Sequence, residues 1–297
     1  MAYYIRSFTV HYILGITCIQ DRSNGKIGLK QELYIDKLID RYGLTDSKVV
    51  STPSDPNMIL MKNDGISNSC DKSLYQSLVG SLLYVALATR PDIQFAVSTV
   101  AKYCSEPNQS HLTAAKRILR YLKKTKNYVL WLGSNDIDLL GFSDADYARD
   151  VDDRHSTSGY VFMLGDGCIS RYSGKQKGVS TSTAQAEYIA VSHATKEAVF
   201  LRQLLSEFES ADIGRVVIKE DNQAALSIAQ NPVFYSKTKH IDVCYHFVRE
   251  VVTDGQIGLE YCNSKDMIAD ITKPWSKFQF EKLRLKLGLC DIKWEDC

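Results

Sequence analysis

The order of β-prone and helical segments after Gly133 constrains the fold of this chain most strongly. Three short β-prone runs come first, and the last two flank a Gly-Asp-Gly turn that suits a tight hairpin. A long helical stretch follows, then a buried-looking strand, two helices, a last strand and a C-terminal helical region. The segments are Ile137 to Asp144, Gly159 to Leu164, Cys168 to Tyr172, Ala184 to Phe208, Val216 to Ile218, Asn222 to Gln230, Lys239 to Val252 and Ile257 to Cys262. A meander that continues through a crossover helix predicts an α/β fold, with helices packed on a mixed five-stranded sheet.

The first 130 residues have a different pattern. A short hairpin is predicted over residues 12–20 and 26–30, because the turn signal Ser23-Asn24-Gly25 lies between them. Helical periodicity dominates afterwards, at residues 34–42, 74–103 and 111–126. Because 297 residues exceed the usual size of one compact domain, we expect two. They are a mainly helical region over residues 1–130 and an α/β domain over residues 131–297.

Composition bears on the location of the chain and on its partners. No apolar run is long enough to span a bilayer, and the first residues lack the pattern of a secretory signal. We therefore expect a cytoplasmic or nuclear protein without a membrane partner. The eight scattered cysteines include no C-x-x-C pair, which predicts reduced thiols. The formal net charge of +1 does not decide whether nucleic acid binds, because binding depends on local patches of charge.

Three acidic residues occupy positions that one edge of the sheet could bring together. Asp144 ends the first predicted strand, on the same face as Phe142. Glu187 lies on the apolar stripe of the long helix, where an unpaired carboxylate calls for a cation or a hydrogen-bonding partner. Asp221 follows the next strand, at the carboxyl edge where α/β sheets place their ligands. Singly, Asp144 could be a turn residue and Asp221 a helix cap, but the combination favours one shared site.

Six short runs between residues 130 and 275 occur in a characteristic order. They are Gly141–Ala148, Ser156–Phe162, Ala184–Tyr188, Asp221–Ala225, Lys239–Asp242 and Ile268–Pro274. Together these runs closely resemble the ribonuclease H domain of copia-type retrotransposons. The first half resembles the end of the reverse transcriptase of the same polyprotein, through five further runs. They are Tyr34–Leu38, Thr52–Pro53, Leu78–Tyr84, Thr89–Ile93 and Ala114–Leu122.

The resemblance implies a ribonuclease H-like fold and four carboxylates that are both catalytic and metal-binding. In this sequence they are Asp144, Glu187, Asp221 and Asp270. Asp146 lies beyond the strand end, so we expect it in a turn or beside the site rather than in it. Taken alone, Asp270 could also be an ordinary solvated helix position.

Carboxylate oxygens without imidazole or thiolate suit Mg²⁺ or Mn²⁺. The resemblance implies two such ions, with Asp144 between them, Glu187 and Asp221 on one side and Asp270 on the other. It further implies hydrolysis of the RNA strand of an RNA:DNA hybrid, leaving a 3′-hydroxyl and a 5′-phosphate. The hybrid and the rest of the retrotransposon polyprotein are the implied partners.

Basic residues between positions 111 and 126 lack an acidic neighbour within that stretch. They predict a surface that follows phosphates, although a solvated helix face is the alternative. The nucleic-acid-binding candidates, including a weaker pair near the long helix, are Lys116, Arg117, Arg120, Lys123, Lys124, Lys175 and Lys177.

Other functions remain open or are disfavoured by motif order. Polymerase activity is not expected, because the Tyr-x-Asp-Asp motif of the palm is absent. An integrase or transposase would carry its glutamate on a helix after the fourth strand, and Glu187 precedes that strand. A zinc site would use His240, Cys244, His246 and Cys262, but structural zinc sites usually have tighter paired spacings.

A nucleic-acid-binding remnant that no longer cuts is the main alternative. The family usually has one more residue between Ile271 and Thr272, and a tryptophan where Arg171 or Tyr172 stands. A deletion directly after Asp270 could turn that carboxylate away from the site, because each helical residue rotates the chain by about 100°.

Overall fold

The computed structural model describes residues 10–62, 68–133, 138–209, 214–230 and 239–291, and the side chains of residues 209, 230 and 239–245 lie outside this description. The strands are β1 Tyr12–Ile13, β2 Ile16–Asp21, β3 Lys26–Lys30, β4 Val129–Leu132, β5 Leu139–Asp146, β6 Thr157–Leu164, β7 Gly167–Lys175, β8 Val216–Glu220, β9 Ile257–Tyr261 and β10 Leu289–Cys290. The helices are α1 Glu32–Arg41, α2 Lys72–Ala88, α3 Gln94–Ala101, α4 Gln109–Lys124, α5 Thr183–Glu209, α6 Gln223–Gln230, α7 Lys239–Thr253 and α8 Lys277–Lys286, with 3₁₀ helices at Pro91–Ile93 and Ile268–Thr272.

The second half of the chain builds the mixed five-stranded sheet that its sequence predicts. The strand order is β7-β6-β5-β8-β9. Strands β5, β6 and β7 pair antiparallel as a meander, whereas β8 pairs parallel with both β5 and β9. Helix α5 connects β7 to β8 and packs on β5 and β6. Because β5 and β8 are adjacent and parallel, their carboxyl ends lie at the same edge of the sheet.

A second sheet lies in the first half of the structure and includes one strand from the C-terminal part. Its order is β1-β2-β3-β4-β10, and all of its pairs are antiparallel. The predicted hairpin is confirmed as β2 and β3, but its first run, residues 12–20, is broken by a turn at Leu14 and Gly15, so that β1 pairs back on β2. Strands β4 and β10 were not predicted, because short strands that pair with distant segments carry little local pattern.

One hydrophobic core joins helices α1 to α4 to the mixed sheet and to α8. Its members from these parts include Leu82, Ile118, Phe142, Val161 and Phe280. A second core lies under α5, α6 and α7, and includes Phe162, Val191, Ile218, Leu226 and Val248. Helices therefore contribute to both cores, and residues from both halves of the chain are buried together.

A buried arginine ties the helical region to its neighbours. Arg90 is only 1% exposed, and its guanidinium donates to Asp92 at 2.8 Å and to the Thr125 carbonyl at 3.0 Å. The Tyr121 hydroxyl donates to the same Asp92 carboxylate. From α8, the guanidinium of Arg284 lies 4.6 Å from the ring centroid of Tyr128. Removing one partner of such a buried pair would leave an uncompensated charge, so this network holds the segments in one arrangement.

Two expectations from composition can be compared with the structure. Five cysteines are free thiols, namely Cys18, Cys70, Cys104, Cys168 and Cys262. Cys290 is disulfide-bonded, so the prediction of reduced thiols is wrong at that position. Among the described residues, no helix has the length and apolar character needed to cross a membrane.

Gly159 of β6 allows the 3₁₀ helix Ile268–Thr272 to approach the sheet. A methyl group at position 159 would overlap the Thr272 side chain, both at its hydroxyl and at its methyl group. Thr272 in turn donates a hydrogen bond to the Ala269 carbonyl at 2.8 Å. The absence of a side chain at Gly159 therefore sets the position of a segment that carries Asp270.

Replacement of Gly159 by alanine tests this contact. We expect Gly159→Ala to lower the free energy of unfolding by about 1–3 kcal/mol, because added volume in a packed contact strains the structure. Gly80 is exposed within α2 with open space around it, so Gly80→Ala should instead raise the free energy of unfolding by about 0.5–1 kcal/mol. Urea unfolding of both variants measures the difference, and equal stabilities would contradict the contact.

Candidate active site

Asp144 and Asp221 lie at one edge of the mixed sheet because their strands are parallel neighbours. The register pairs Leu140 with Val217 and Phe142 with Lys219. Asp144 lies near the end of β5 and is 1% exposed, whereas Asp221 comes directly after β8 and is half-buried. The predicted meeting of these two strand ends is present in the structure.

Glu187 reaches the same edge from the beginning of α5. Ala186 and Ala190 of this helix pack on Ala145 of β5, and these small side chains allow helix and strand to approach closely. Glu187 itself is 9% exposed. Its carboxylate therefore lies on the buried side of the helix, as its position on the apolar stripe predicts.

Asp144, Glu187 and Asp221 form a compact group, which we call the carboxylate cluster. One oxygen of each residue lies within 4.8 Å of the others. Asp144 Oδ2 and Glu187 Oε2 are buried, and neither has a hydrogen-bonding partner within the described residues. Burial raises the pKa of Asp144 to about 7, and burial together with the nearby Asp144 raises the pKa of Glu187 to about 10. The unpartnered oxygens of these two residues are therefore where a cation would be bound most favourably.

Asp270 lies beside the carboxylate cluster and is connected to it through Lys273. It belongs to the 3₁₀ helix Ile268–Thr272, which packs on β5 and β6, and it is 7% exposed. Lys273 Nζ donates to Asp270 Oδ1 at 2.9 Å and to Asp144 Oδ1 at 2.8 Å. Asp270 is therefore not turned away from Asp144, because one ammonium contacts both carboxylates. Burial raises the pKa of Asp270, and the Lys273 ammonium opposes that effect.

Two further residues lie beside the predicted acids, Lys273 and Glu220, and neither was predicted from the sequence as part of the site. Glu220 is fully buried, and it accepts hydrogen bonds from the Ser143 hydroxyl at 2.6 Å and from the Asn222 amide at 3.1 Å. Burial raises its pKa to about 8 despite these donors. Both residues lie within three positions of a predicted acid, which is the sequence signal that could have indicated them.

Asp221 and Asp146 have partners outside the cluster. The Ser264 hydroxyl donates to Asp221 Oδ2 at 2.7 Å, which orients that carboxylate. Asp146 ends β5 and pairs with Arg149 at 3.2 Å. Among the described residues, the acids with one oxygen each within 4.8 Å of the others are Asp144, Glu187 and Asp221, and neither Asp270 nor Asp146 belongs to this group.

Most of the basic residues on α4 contact the loop between α1 and α2. Arg117 lies 3.4 Å from Asp55, and the Arg120 guanidinium donates to the Lys48 carbonyl at 2.5 Å. Lys123 donates to the carbonyls of three loop residues, and Lys124 donates to Ser51 at 3.0 Å. In the described structure Lys116 has no hydrogen bond or ion pair.

The two basic candidates near α5, Lys175 and Lys177, also differ in whether they have a partner. Lys175 pairs with Asp150 and Asp153, whereas Lys177 is exposed.

Two of the four candidate zinc ligands lie outside the described side chains. The side chains of His240 and Cys244 are not described, and neither are those of the run Lys239–Asp242. Cys262 is a buried free thiol whose Sγ contacts the Asn263 carbonyl at 3.4 Å.

The chemistry of the carboxylate cluster fits a divalent cation. Its donors are hard carboxylate oxygens, and Asp144 and Glu187 each have one buried oxygen without a hydrogen-bond donor. An unpaired buried carboxylate is unfavourable unless it binds a cation or takes up a proton. A hard cation bound among these three residues would offset that cost.

Comparison with known proteins finds relatives along nearly the whole chain. It is 36% identical over 283 residues to the retrovirus-related Pol polyprotein from transposon TNT 1-94 of Nicotiana tabacum, which covers 93% of this chain and 21% of that protein. It is 39% identical over 285 residues to the corresponding polyprotein from transposon RE1 of Arabidopsis thaliana, covering 95% of this chain and 19% of that protein. The chain thus spans about a fifth of the length of these relatives. No family model matches it.

A solved structure shares the fold over most of the chain. The foamy viral protease-reverse transcriptase, solved in complex with an RNA/DNA hybrid, matches with a TM-score of 0.50 at 14% sequence identity. The match covers 86% of this chain and 29% of that one. At this identity the likeness concerns the fold alone. Together with the mixed five-stranded sheet and its flanking helices, it confirms the predicted ribonuclease H-like α/β class.

Glu187→Gln tests whether the carboxylate cluster binds a divalent ion. Because its raised pKa keeps Glu187 protonated at neutral pH without metal, the variant should be about as stable as the parent in a chelator. Added Mg²⁺ or Mn²⁺ should stabilise the parent by about 2.7 kcal/mol at a hundredfold excess over Kd, and the variant far less. Thermal unfolding with and without metal measures both effects. Glu207→Gln, at an exposed position of the same helix, is the matched control, and an equal response of Glu187→Gln and the parent would contradict the site.

Proposed function

This chain belongs to the family of copia-type retrotransposon Pol polyproteins, and we propose that it is a metal-dependent endonuclease that hydrolyses the RNA strand of an RNA:DNA hybrid. The observation that carries the proposal is the pair of buried, unpartnered oxygens on Asp144 and Glu187, close to Asp221 at the carboxyl edge of the sheet. Carboxylates that lack a cationic partner suit a site that binds metal ions together with a phosphate group.

The four predicted acids divide into two groups around Asp144. Asp144, Glu187 and Asp221 would hold one Mg²⁺ or Mn²⁺ ion, and Asp144 with Asp270 would hold a second. When bound, the ions would activate the attacking water and offset the negative charge that develops on the departing oxygen. The expected products carry a 3′-hydroxyl and a 5′-phosphate.

Neighbouring side chains hold these acids in place. Ser264 fixes the orientation of Asp221 through its 2.7 Å hydrogen bond. Ser143 and the Asn222 amide hold Glu220 beside the cluster through these two hydrogen bonds. Such fixed supporting contacts keep ligand oxygens preorganised for a cation.

Recognition of the hybrid would depend on shape rather than on base identity. A hybrid presents 2′-hydroxyls and a wide minor groove, which distinguish it from a DNA duplex. Phosphates would meet the basic candidates of α4 and the β7 region. Of these, Lys116 and Lys177 are the two for which no ion pair or hydrogen bond is described, so they are the best placed to bind phosphate.

The two halves of the chain have different proposed origins. We assign residues 1–130 to the C-terminal end of a reverse transcriptase and residues 131–297 to the ribonuclease H-like domain. Without the palm motif Tyr-x-Asp-Asp, no polymerase activity is proposed for this chain. The remaining parts of the polyprotein are its proposed partners.

A protein that binds hybrids without cutting them is the second candidate. The observation that favours it is the Lys273 ammonium, which already contacts Asp144 and Asp270. An ammonium bound to these oxygens competes with metal ions for the two carboxylates and so weakens metal binding.

Hybrid cleavage by the whole chain tests the proposed function. With Mg²⁺ or Mn²⁺, the parent should cut the RNA strand of a hybrid and leave the DNA strand and a DNA duplex intact. Asp144→Asn and Glu187→Gln should each lose about 100-fold or more of the rate, because a bound metal contributes several kcal/mol to transition-state stabilisation. Gel analysis of end-labelled strands measures rate and product ends.

Glu207→Gln is the control for this assay, since it keeps the helix and changes only an exposed carboxylate. Equal cleavage by the parent and both site variants would reject the proposed chemistry. Tight hybrid binding without any cleavage would instead support the second candidate.

Two lysines of α4 distinguish phosphate binding from loop support. Lys116→Gln should weaken hybrid binding and reduce the slope of log K against log salt by about 0.7–0.9, while leaving stability unchanged. Lys123→Gln should lower the free energy of unfolding by about 1–3 kcal/mol, because three loop carbonyls lose their donor. Binding titrations at several salt concentrations and urea unfolding measure these effects. An unchanged salt slope for Lys116→Gln would remove it from the proposed surface.

A further inference from the structure

Lys273 places a positive charge at one side of the candidate site. Its ammonium donates to Asp144 Oδ1 at 2.8 Å and to Asp270 Oδ1 at 2.9 Å. Burial would lower the pKa of Lys273, but the two carboxylates outweigh that effect and raise it. Lys273 is the only cationic side chain that contacts the predicted acids in the part of the chain that the structure describes.

The backbone around Lys273 is held by several contacts. Its amide donates to the Asp270 carbonyl at 3.0 Å, and its extended conformation is the one that a following proline, Pro274, favours. The indole of Trp275 donates to the Asp270 carbonyl at 2.6 Å. Thr272 packs against Gly159, as described above. The side chain therefore starts from a fixed point at the rim of the site.

Asp144 presents its two oxygens to different surroundings. Oδ1 is occupied by the Lys273 ammonium, whereas Oδ2 is buried without a partner. Asp270 offers Oδ1 to the same ammonium. An ion beside Glu187 can use the unpartnered oxygens of Asp144 and Glu187, whereas an ion between Asp144 and Asp270 would compete with the ammonium for Asp144 Oδ1 and Asp270 Oδ1.

We propose that Lys273 is a built-in competitor of the second divalent ion, so that the ion between Asp144 and Asp270 binds only when the Lys273 ammonium is displaced. This inference rests on the proposed function for the identity of the ions. Mg²⁺ requires ligand oxygens at about 2.0–2.1 Å and near-ideal geometry. An ammonium hydrogen-bonded to the same oxygens excludes that geometry. The two metal positions are therefore unequal, and Lys273 sets the difference.

Counting bound Mn²⁺ without substrate tests the competition directly. Titration of the whole chain, followed by the electron paramagnetic resonance signal of free Mn²⁺, should show one tighter site and a second site at least about tenfold weaker. Lys273→Met removes the ammonium and keeps an unbranched side chain that is one atom shorter. It should tighten the second site by about tenfold or more, because the carboxylates lose their charged partner. Hybrid cleavage is not needed for this measurement.

Lys286→Met is the matched control. Its ammonium pairs with Asp266 at 3.1 Å on the surface, so its loss should leave both Mn²⁺ affinities unchanged. Lys273→Gln gives a second neutral side chain if the methionine variant does not fold, and circular dichroism verifies the fold of each.

The outcomes separate this inference from the proposed function. Two equal Mn²⁺ sites in the parent, or a second site that neither neutral variant tightens, would overturn the role of Lys273 alone. Absence of any bound Mn²⁺ would overturn both. Unequal sites that become similar in Lys273→Met, in a chain that does not cut hybrids, would support the competition and reject the nuclease.

Discussion

The arrangement at the sheet edge depends on the unfavourable burial of several carboxyl groups in one small volume. Asp144, Glu187, Glu220 and Asp270 are all buried, and Asp221 adjoins them. Burial and mutual repulsion raise the pKa values of the four buried groups. Hydrogen bonds satisfy Glu220, and Lys273 satisfies part of Asp144 and Asp270. What remains unsatisfied is concentrated on Asp144 and Glu187, so these two oxygens are where a cation gains most.

This edge is assembled by parts of the chain that lie far apart in sequence. The parallel pairing of β5 with β8 brings two strand ends together, and the alanine contacts of α5 bring Glu187 to them. The 3₁₀ helix Ile268–Thr272 is the fourth element at this edge, after β5, β8 and α5. It also belongs to the core that α1 to α4 share with the sheet. Helices of the first half therefore support the site without supplying any of its acids. Damage to that core would change the separation of Asp270 from Asp144.

Sequence could predict the elements with strong local periodicity and the acids that end them. The mixed sheet and its helices follow from periods of two and of 3.6 residues, and Glu187 was conspicuous as an acid on an apolar stripe. Strands β4 and β10 were missed because their pairing is long-range and each is short. Lys273 was missed for a related reason, because its partner Asp144 lies 129 positions away. The charge pattern of α4 was visible, but not that its cations hold a loop. Local pattern thus predicts elements, whereas contacts between distant segments decide how their polar groups are used.

Native proteins tolerate unfavourable burial mainly where function requires it. A lysine between two carboxylates is one way to reduce that penalty, because it replaces repulsion with two charged hydrogen bonds. The same contacts oppose any ligand that needs those oxygens, since the ammonium must first lose both partners. The Lys273 side chain therefore stabilises the protein in the absence of ions and weakens the binding of the second ion. Asp144 is the residue at which the two demands meet, because one of its oxygens is bonded to Lys273 and the other is free.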